Sequence, residues 1–326
     1  MNPIIAFLKA ARWKNLLIIA LTQVLLRYFI LQPFVQLVEL ELAFTNFEFF
    51  LLVLSTVMIA AGGNIINDYF DLKIDRINKP DNIIVGRYIK RRVAMVAHVI
   101  LNIGGFAIGL FLGIRLGIWQ LCFLQLFWTI ALWYYSTELK YMFLWGNVAI
   151  AVCVALVPLS VGLYEIPALI DAYEYYAKGQ GEQVFVFGTM IYRLLYWVLG
   201  FTAFAFLATL TREIVKDMAD IEGDRAFGCR TLPIALGIQK TKVIVLILNI
   251  LILLSIGVVE QFYLADLYSL LYLLLVITPI MVVGLVILMR AQETRDFKLA
   301  STFGKLFVLA GICYAFVAYI NFSSLG

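Results

Sequence analysis

Charge is scarce in this sequence. Of 326 residues only 14% are Asp, Glu, Lys or Arg, against about 25% in soluble domains, and 63% are hydrophobic. A mean hydropathy of +0.96 leaves too little polar surface to cover a water-soluble core, so much of the chain must face lipid. Proline, with 7 residues, and glycine, with 22 in no fixed period, are too sparse for a disordered or collagen-like chain. The four cysteines, Cys122, Cys153, Cys229 and Cys313, lie far apart without a C-x-x-C pair. That excludes a disulfide scaffold, and three of them sit in apolar runs as small buried hydrophobes. The single histidine, His98, is also in an apolar run, with no Ser/His/Asp arrangement or nucleophile elbow around it. It reads as a hydrogen-bonded structural residue.

What the chain does contain is long apolar runs. A membrane span needs roughly 20 mainly apolar residues, and nine candidates occur, near 15–33, 47–66, 93–113, 117–137, 143–164, 190–210, 242–260, 268–289 and 303–322. Lone polar residues inside them, such as Asn64, Gln125, Asn147, Thr202 and Asn249, are tolerable where they face neighbouring helices. Lys9, Arg12 and Lys14 precede the first run, with no small-residue cleavage site after a short apolar region, so this run reads as a span and not as a cleaved signal. The expected fold is an all-α integral membrane protein, one polytopic domain over 1–326 with nine transmembrane helices around a central cavity.

The net charge of +4 says less than its distribution. In the nine-span arrangement 21 of the 25 Lys and Arg fall on the side of the N-terminus, leaving Arg27, Arg115, Lys178 and Arg193 on the other. The positive-inside rule then places the N-terminus and the even loops in the cytoplasm. Nucleic acid and an obligate protein partner are not expected. The longest outward stretch, about 165–189, reads as an interfacial segment with Tyr173, Tyr175 and Tyr176 near the headgroups. Acidic residues play little part in orientation, yet nine of the 21 lie in two basic-side loops, 67–92 and 211–242.

Those acids are patterned. Asp68, Asp71 and Asp75 follow an i, i+3, i+7 spacing, and Asp217, Asp220 and Asp224 repeat it, each set followed by Arg. If the preceding helices continue, each triplet stacks on one helix face. Two matching faces about 150 residues apart suggest two related halves, roughly 15–137 and 143–322. Stacked carboxylates repel one another and need a positive counterpart. Mg²⁺ suits them, because it takes one or two carboxylates together with water and phosphate oxygens. The interleaved cations Lys73, Arg76, Lys79, Arg212, Lys216 and Arg225 would hold the outer charge of a diphosphate. Solvated, salt-bridged loops are the bland alternative, and they account poorly for two triplets of identical spacing on one membrane face.

At these residues the chain resembles the UbiA superfamily of intramembrane prenyltransferases. Asn67-Asp68-x-x-Asp71-x-x-x-Asp75 matches the family's N-D-x-x-D-x-x-x-D motif in full, and Asp220-x-x-x-Asp224 matches its D-x-x-x-D motif. The stretch from Arg212 to Asp224, followed by Gly228, Thr231-Leu232-Pro233-Ile234 and Gly237, is similar to the digeranylgeranylglyceryl phosphate synthase and chlorophyll synthase branches. One departure follows the first motif, where Asn82 and Ile83 stand in place of the family's Arg and Pro. The resemblance implies Mg²⁺-dependent transfer of a prenyl group from a polyprenyl diphosphate to a lipophilic acceptor. It places the metal on Asn67, Asp68, Asp71, Asp75, Asp217, Asp220 and Asp224, with Asp71, Asp75, Asp220 and Asp224 catalytic. The acceptor it implies first is geranylgeranylglyceryl phosphate; a quinone precursor, heme or chlorophyll-type acceptor are alternatives. The setting it implies is the cell membrane, with the active-site loops on the cytoplasmic side.

Departure of diphosphate leaves an allylic cation that water would quench, so the reaction calls for a dry site with stabilising aromatic faces. Tyr69, Phe70, Trp128, Tyr134, Tyr135 and Trp197 are candidates. A transporter, the rival of another class, would carry ionisable groups at the bilayer midplane in broken helices. Here, apart from Arg27, they avoid the span centres and the acids gather at one mouth.

Overall fold

The computed structural model describes residues 1–78, 80–178 and 182–323. Among them the chain is helical, with one isolated bridge between Val85 and Ile89. A short helix α1 (Pro3–Ala10) leads into α2 (Trp13–Leu25) through Arg12, whose φ of 56° lies in the left-handed region. A π-helical turn, Leu26–Leu31, carries α2 on into α3 (Gln32–Gln36). A capping box between Thr45 and Glu48 opens α4 (Asn46–Phe70). The first half continues with α5 (Leu72–Asn78), α6 (Arg91–Arg115) and α7 (Cys122–Thr137). The second half begins with α8 (Trp145–Ala172), α9 (Glu174–Lys178) and α10 (Glu182–Ala219). Then come α11 (Ile221–Ala226), α12 (Leu232–Leu236), α13 (Ile238–Val259), α14 (Leu267–Tyr272), α15 (Thr278–Arg290) and α16 (Thr294–Ser323).

Eight helices among the described residues are long and apolar enough to cross a membrane. The expected count of nine meets its exception at 117–137. That segment begins with a 3-10 turn, Trp119–Leu121, and its α-helix has 16 residues, about 24 Å at 1.5 Å per residue. The segment 165–189 also differs from expectation. Helix α8 runs on to Ala172 and takes Glu165 with it, where the side chain is fully buried. Only the chain beyond has an interfacial character, with Tyr175 exposed and Tyr173 Oη accepting from the Glu41 N–H at 3.1 Å.

Arg27, counted above among the outward cations, is buried within the bundle. Its Nη1 pairs with Glu165 Oε2 at 2.6 Å, it donates also to the Phe44 carbonyl, and Glu165 Oε1 accepts from the Phe44 N–H at 3.0 Å. Burial of two charges is sustained by their pairing and by these backbone bonds. His98 is structural, as expected: its Nδ1 lies 3.0 Å from the Gly62 carbonyl, and its ring centroid lies 5.3 Å from that of Trp133.

The two aspartate triplets end alike. Helix α4 stops at Phe70 and α5 starts at Leu72, so Asp71 is the break; α10 stops at Ala219 and α11 starts at Ile221, so Asp220 is the break. The backbone bonds persist across each break, from the Asp71 N–H to the Asn67 carbonyl at 2.9 Å and from the Asp220 N–H to the Lys216 carbonyl at 3.0 Å. Straight helical continuation, which would stack each triplet, is therefore replaced by a bend at the middle aspartate. Like-charged carboxylates on one face favour such a break, because it separates them.

Candidate active site

The bends bring the triplets to one polar cavity at the end of the bundle. From the first half Asn67, Asp71, Asp75 and Asn78 line it, and from the second half Glu213, Lys216, Asp217, Asp220 and Asp224. The helices α5 and α11 touch directly. The Gly223 N–H donates to Asn78 Oδ1 at 2.9 Å, and a Cβ on Gly223 would stand 2.5 Å from the Asn78 amide. On α10 the lining residues Glu213, Lys216 and Asp217 fall at i, i+3 and i+4, the spacing of a single helix face, and Asp220 follows just beyond its end.

Asp68 departs from the expected stack. It faces the N-terminal segment, where it pairs with Arg12 at 2.8 Å, and it is absent from the cavity lining. Burial disfavours the guanidinium charge, but attraction to Asp68 and the hydrogen bond outweigh it, so the Arg12 pKa stays above its ordinary value. The left-handed turn at Arg12 is pinned from the other side by Asn64 Nδ2, which donates to the Ala11 carbonyl at 3.0 Å.

The cations of the cavity are only partly those the sequence singled out. Lys216 lines it, beside Glu213 at 3.4 Å. Lys73, Arg76 and Arg225 are exposed and lie outside the lining. Arg212 pairs with Glu213 but faces a different cleft, and Lys79 lies outside the described residues. In their place stand Arg12 and Lys140, the latter paired with Asp71. In the sequence both stand out only as basic-side charges. Lys140 sits on a 3-10 turn, Leu139–Tyr141, packed under the start of α8, where a Cβ on Gly146 would lie 2.9 Å from the Lys140 Cα. Asn147, in the first turn of α8, donates from Nδ2 to Asp217 Oδ2 at 2.8 Å. Of the six aromatic candidates, Tyr135 alone is in the lining. Trp128 is buried with its indole N–H on the Cys153 carbonyl at 2.8 Å, and Trp197 stacks on Tyr314. Cys229 lines the cavity, and burial, helped by the negative charge of Asp224, pushes its thiol up to about 12.

The donor set fits Mg²⁺. It is made of hard oxygens, and the buried Asn67 Oδ1 has no hydrogen-bond partner among the described residues, although Asn67 Nδ2 donates to Asp71 Oδ2 at 2.8 Å. No three His, Cys, Asp or Glu side chains among the described residues stand close enough to hold a metal ion by themselves, so other oxygens would have to complete its shell. An open set suits an ion that completes its shell with water and phosphate oxygens.

The UbiA prenyltransferase family model matches residues 37–310, and this stretch contains both triplets. The chain is a member of the UbiA prenyltransferase family. This prenyltransferase is 30% identical over 279 residues to the digeranylgeranylglyceryl phosphate synthase of Methanosphaera stadtmanae, covering 84% of this chain and 87% of that protein. It is also 30% identical to the synthase of the same name from Methanothermobacter thermautotrophicus, covering 84% and 85%. Among solved structures the UbiA-type enzyme is similar in fold to a digeranylgeranylglyceryl phosphate synthase, with a TM-score of 0.61 at 22% identity over 97% of this chain and 99% of that one. A UbiA homologue from Archaeoglobus fulgidus bound to GPP and Mg²⁺ aligns with a TM-score of 0.57 at 15% identity, over 95% of this chain and 99% of that one.

Proposed function

We propose that this prenyltransferase transfers a geranylgeranyl group from geranylgeranyl diphosphate to geranylgeranylglyceryl phosphate, releasing diphosphate, at the cytoplasmic face of the cell membrane. The observation that carries this is a polar cavity in which Asn67, Asp71, Asp75, Asp217, Asp220 and Asp224 meet, with Lys140 and Lys216 among them, at one end of an apolar bundle. The acceptor is suggested by the relatives of that name, and the side of the membrane by the 21 basic residues on the N-terminal side against three outward ones, Arg115, Lys178 and Arg193, once the buried Arg27 is set aside. The bends at Asp71 and Asp220 support two related halves within one membrane domain.

In this reading the carboxylates and the Asn67 amide oxygen hold Mg²⁺, which supplies positive charge to the leaving diphosphate. Lys140, Lys216 and Arg12 bear on the outer phosphate oxygens as fixed cations, and such preorganised charge is worth roughly 10²- to 10³-fold in rate per group removed. The C1–O bond of the donor breaks, a C1–O bond to the acceptor hydroxyl forms, and the proton and diphosphate leave. Tyr135 lines the cavity, and a π-face there would stabilise an allylic cation by about 0.5–2 kcal/mol. The apolar helices around the mouth keep bulk water from that cation.

The test is incubation of the purified protein with Mg²⁺, geranylgeranyl diphosphate and, separately, geranylgeranylglyceryl phosphate, a naphthoate and heme. Product is expected with the first acceptor, and is expected to vanish in Asp71→Ala and Asp220→Ala proteins that retain the wild-type melting profile. Full activity in those variants would refute the metal-site assignment, and prenylation of another acceptor alone would refute the acceptor.

A further inference from the structure

Helix α1 is turned the opposite way to a helix on a water-soluble surface. Asn2 caps it, with Oδ1 accepting from the Ile4 N–H at 2.9 Å, and Pro3 opens its first turn. Its small residues Ala6 and Ala10 are fully buried, while Ile4, Ile5 and Leu8 are exposed. Positions 4, 5 and 8 share one side of the helix, and 6 and 10 lie on the other. In water the bulky side chains would be the ones to turn inward. The first span, Trp13–Gln36, begins three residues after α1 ends, so α1 lies at the edge of the bilayer. There an outward apolar face meets lipid.

The alanine face packs beside a second exposed segment. Ala6, Ala10 and Ala11 share one buried cluster with Ile65 of α4, with Val85 and Ile89 of the turn before α6, and with Ala94 of α6. That turn tucks Val85 and Ile89 inward and presents Arg87 and Tyr88, and another span, Arg91–Arg115, starts just after it. Next to these packed residues along the chain, Lys9, Lys14, Arg87, Lys90, Arg91 and Arg92 are all exposed. Residues 1–38 and 82–137 contain no Asp or Glu. The run 90–92 also sets three cations at the start of α6, where they oppose the positive end of the helix dipole. Membrane orientation asks only for cations in a loop. It does not ask for them against a dipole, nor beside an outward face of Ile and Leu. Apolar side chains flanked by uncompensated cations at the level of the headgroups complement a negatively charged lipid surface.

We propose that α1 and the segment 84–92 form a docking surface for anionic phospholipids of the surrounding bilayer, and that lipid seated there holds Arg12 in the metal cavity. The link is short. Helix α1 leads straight to Arg12, which pairs with Asp68 at 2.8 Å and lines the cavity, and Asn64 fixes the Ala11 carbonyl beside it. From the other part of the surface the Arg91 guanidinium lies 4.3 Å from the centroid of the Tyr69 ring. The two parts therefore hold consecutive residues, Asp68 and Tyr69, at the end of α4 just before the bend at Asp71. Headgroups drawn to Lys9 and Lys14 keep α1 on the bilayer, and Arg12 leaves the cavity only if α1 lifts.

The experiment places the full chain in nanodiscs of phosphatidylcholine, alone or mixed with an equal part of phosphatidylglycerol. A trace of either lipid carries a photoreactive group at the top of one acyl chain, and cross-linked peptides are located by mass spectrometry. Peptides covering 1–14 and 84–93 should take label from phosphatidylglycerol about fivefold more than from phosphatidylcholine, the attraction of one cation beside a membrane. High salt should weaken this preference, and the triple variant Lys9→Gln, Lys90→Gln, Arg92→Gln should bring it within about twofold. All three side chains are exposed, so the melting profile should not change. Ile4→Asn with Leu8→Asn should lower labelling of α1 by both lipids. Binding of radiolabelled geranylgeranyl diphosphate in Mg²⁺ tests the link to Arg12. Its Kd should be about fivefold lower in the mixed discs for the wild type and equal in the two discs for the triple variant. Negative surface charge acting alone would repel this ligand and raise its Kd. Equal labelling by the two lipids, or cross-links from α1 to a second copy of the chain in place of lipid, would overturn the docking surface. A Kd that is unchanged or higher in the mixed discs would overturn its tie to Arg12.

Discussion

The backbone N–H of Gly223 donates to Asn78 Oδ1 at 2.9 Å, a bond that ties α5 to α11, the two helices that begin at the broken aspartates. The approach needs a glycine, since a Cβ there would stand 2.5 Å from the Asn78 side chain. Gly223→Ala should therefore part the helices and move Asp224 away from Asp75. We expect transfer activity to fall by at least about tenfold, since small misplacements of a catalytic constellation are costly, with the melting temperature changing by only a few degrees. Activity and thermal unfolding of the same preparation check this, and a fully active Gly223→Ala protein would show that the contact does not align the site.

Lys140 stands against Asp71 in the cavity, 69 residues away in sequence. Removing its charge with Lys140→Met should lower kcat and raise the donor KM, for a total loss of roughly 10²-fold in kcat/KM. The acceptor KM should not follow. Steady-state kinetics with each substrate varied in turn separate these outcomes. Gly146→Ala, which would push on the Lys140 backbone, should reproduce a weaker form of the same defect.

The Cys229 thiol is raised to about 12, well above the ordinary value of about 8.5. At pH 8 it is overwhelmingly protonated and should resist iodoacetamide in the folded protein, since the thiolate is the nucleophile. Because the folded value lies above the unfolded one, the stability this group contributes is complete below about pH 8.5 and is lost towards pH 12. Mass spectrometry after alkylation, with and without denaturant, is the measurement. Rapid labelling of the folded chain at pH 8 would contradict the buried environment.

Arg27 and Glu165, 138 residues apart in the sequence, are both essentially inaccessible to solvent. Arg27→Met leaves the carboxylate unpaired and should cost about 3–5 kcal/mol, whereas Arg27→Met with Glu165→Leu should cost less than either single change. Thermal unfolding in detergent, arranged as a double-mutant cycle, reads this directly. An additive double mutant would mean that the two side chains do not act as a pair.

Much of this protein was legible from its sequence for a local reason. Apolar runs of span length mark helices wherever they occur, and carboxylates spaced three and four apart announce a shared face, because both patterns depend only on the 1.5 Å rise and 3.6-residue turn of the helix. That spacing marks Asp71, Asp75, Asp217, Asp220 and Asp224, and the family resemblance adds Asn67; the cavity gathers these six, whereas Asp68, marked by the same spacing, turns to Arg12. The sequence also set their number, their repeat and the family to which they belong. Tertiary structure alone decided which charges meet them. Arg12 reaches Asp68 across 56 residues, Asn147 reaches Asp217 across 70 and Asn78 reaches Gly223 across 145. Meanwhile Lys73, Arg76 and Arg225, though adjacent to the motifs, point out of the site. Ion pairs between helices depend on how the helices pack, and packing follows the apolar surface of the whole bundle. Neighbourhood along the chain therefore identified the acids of the site, and only the packed bundle chose the cations.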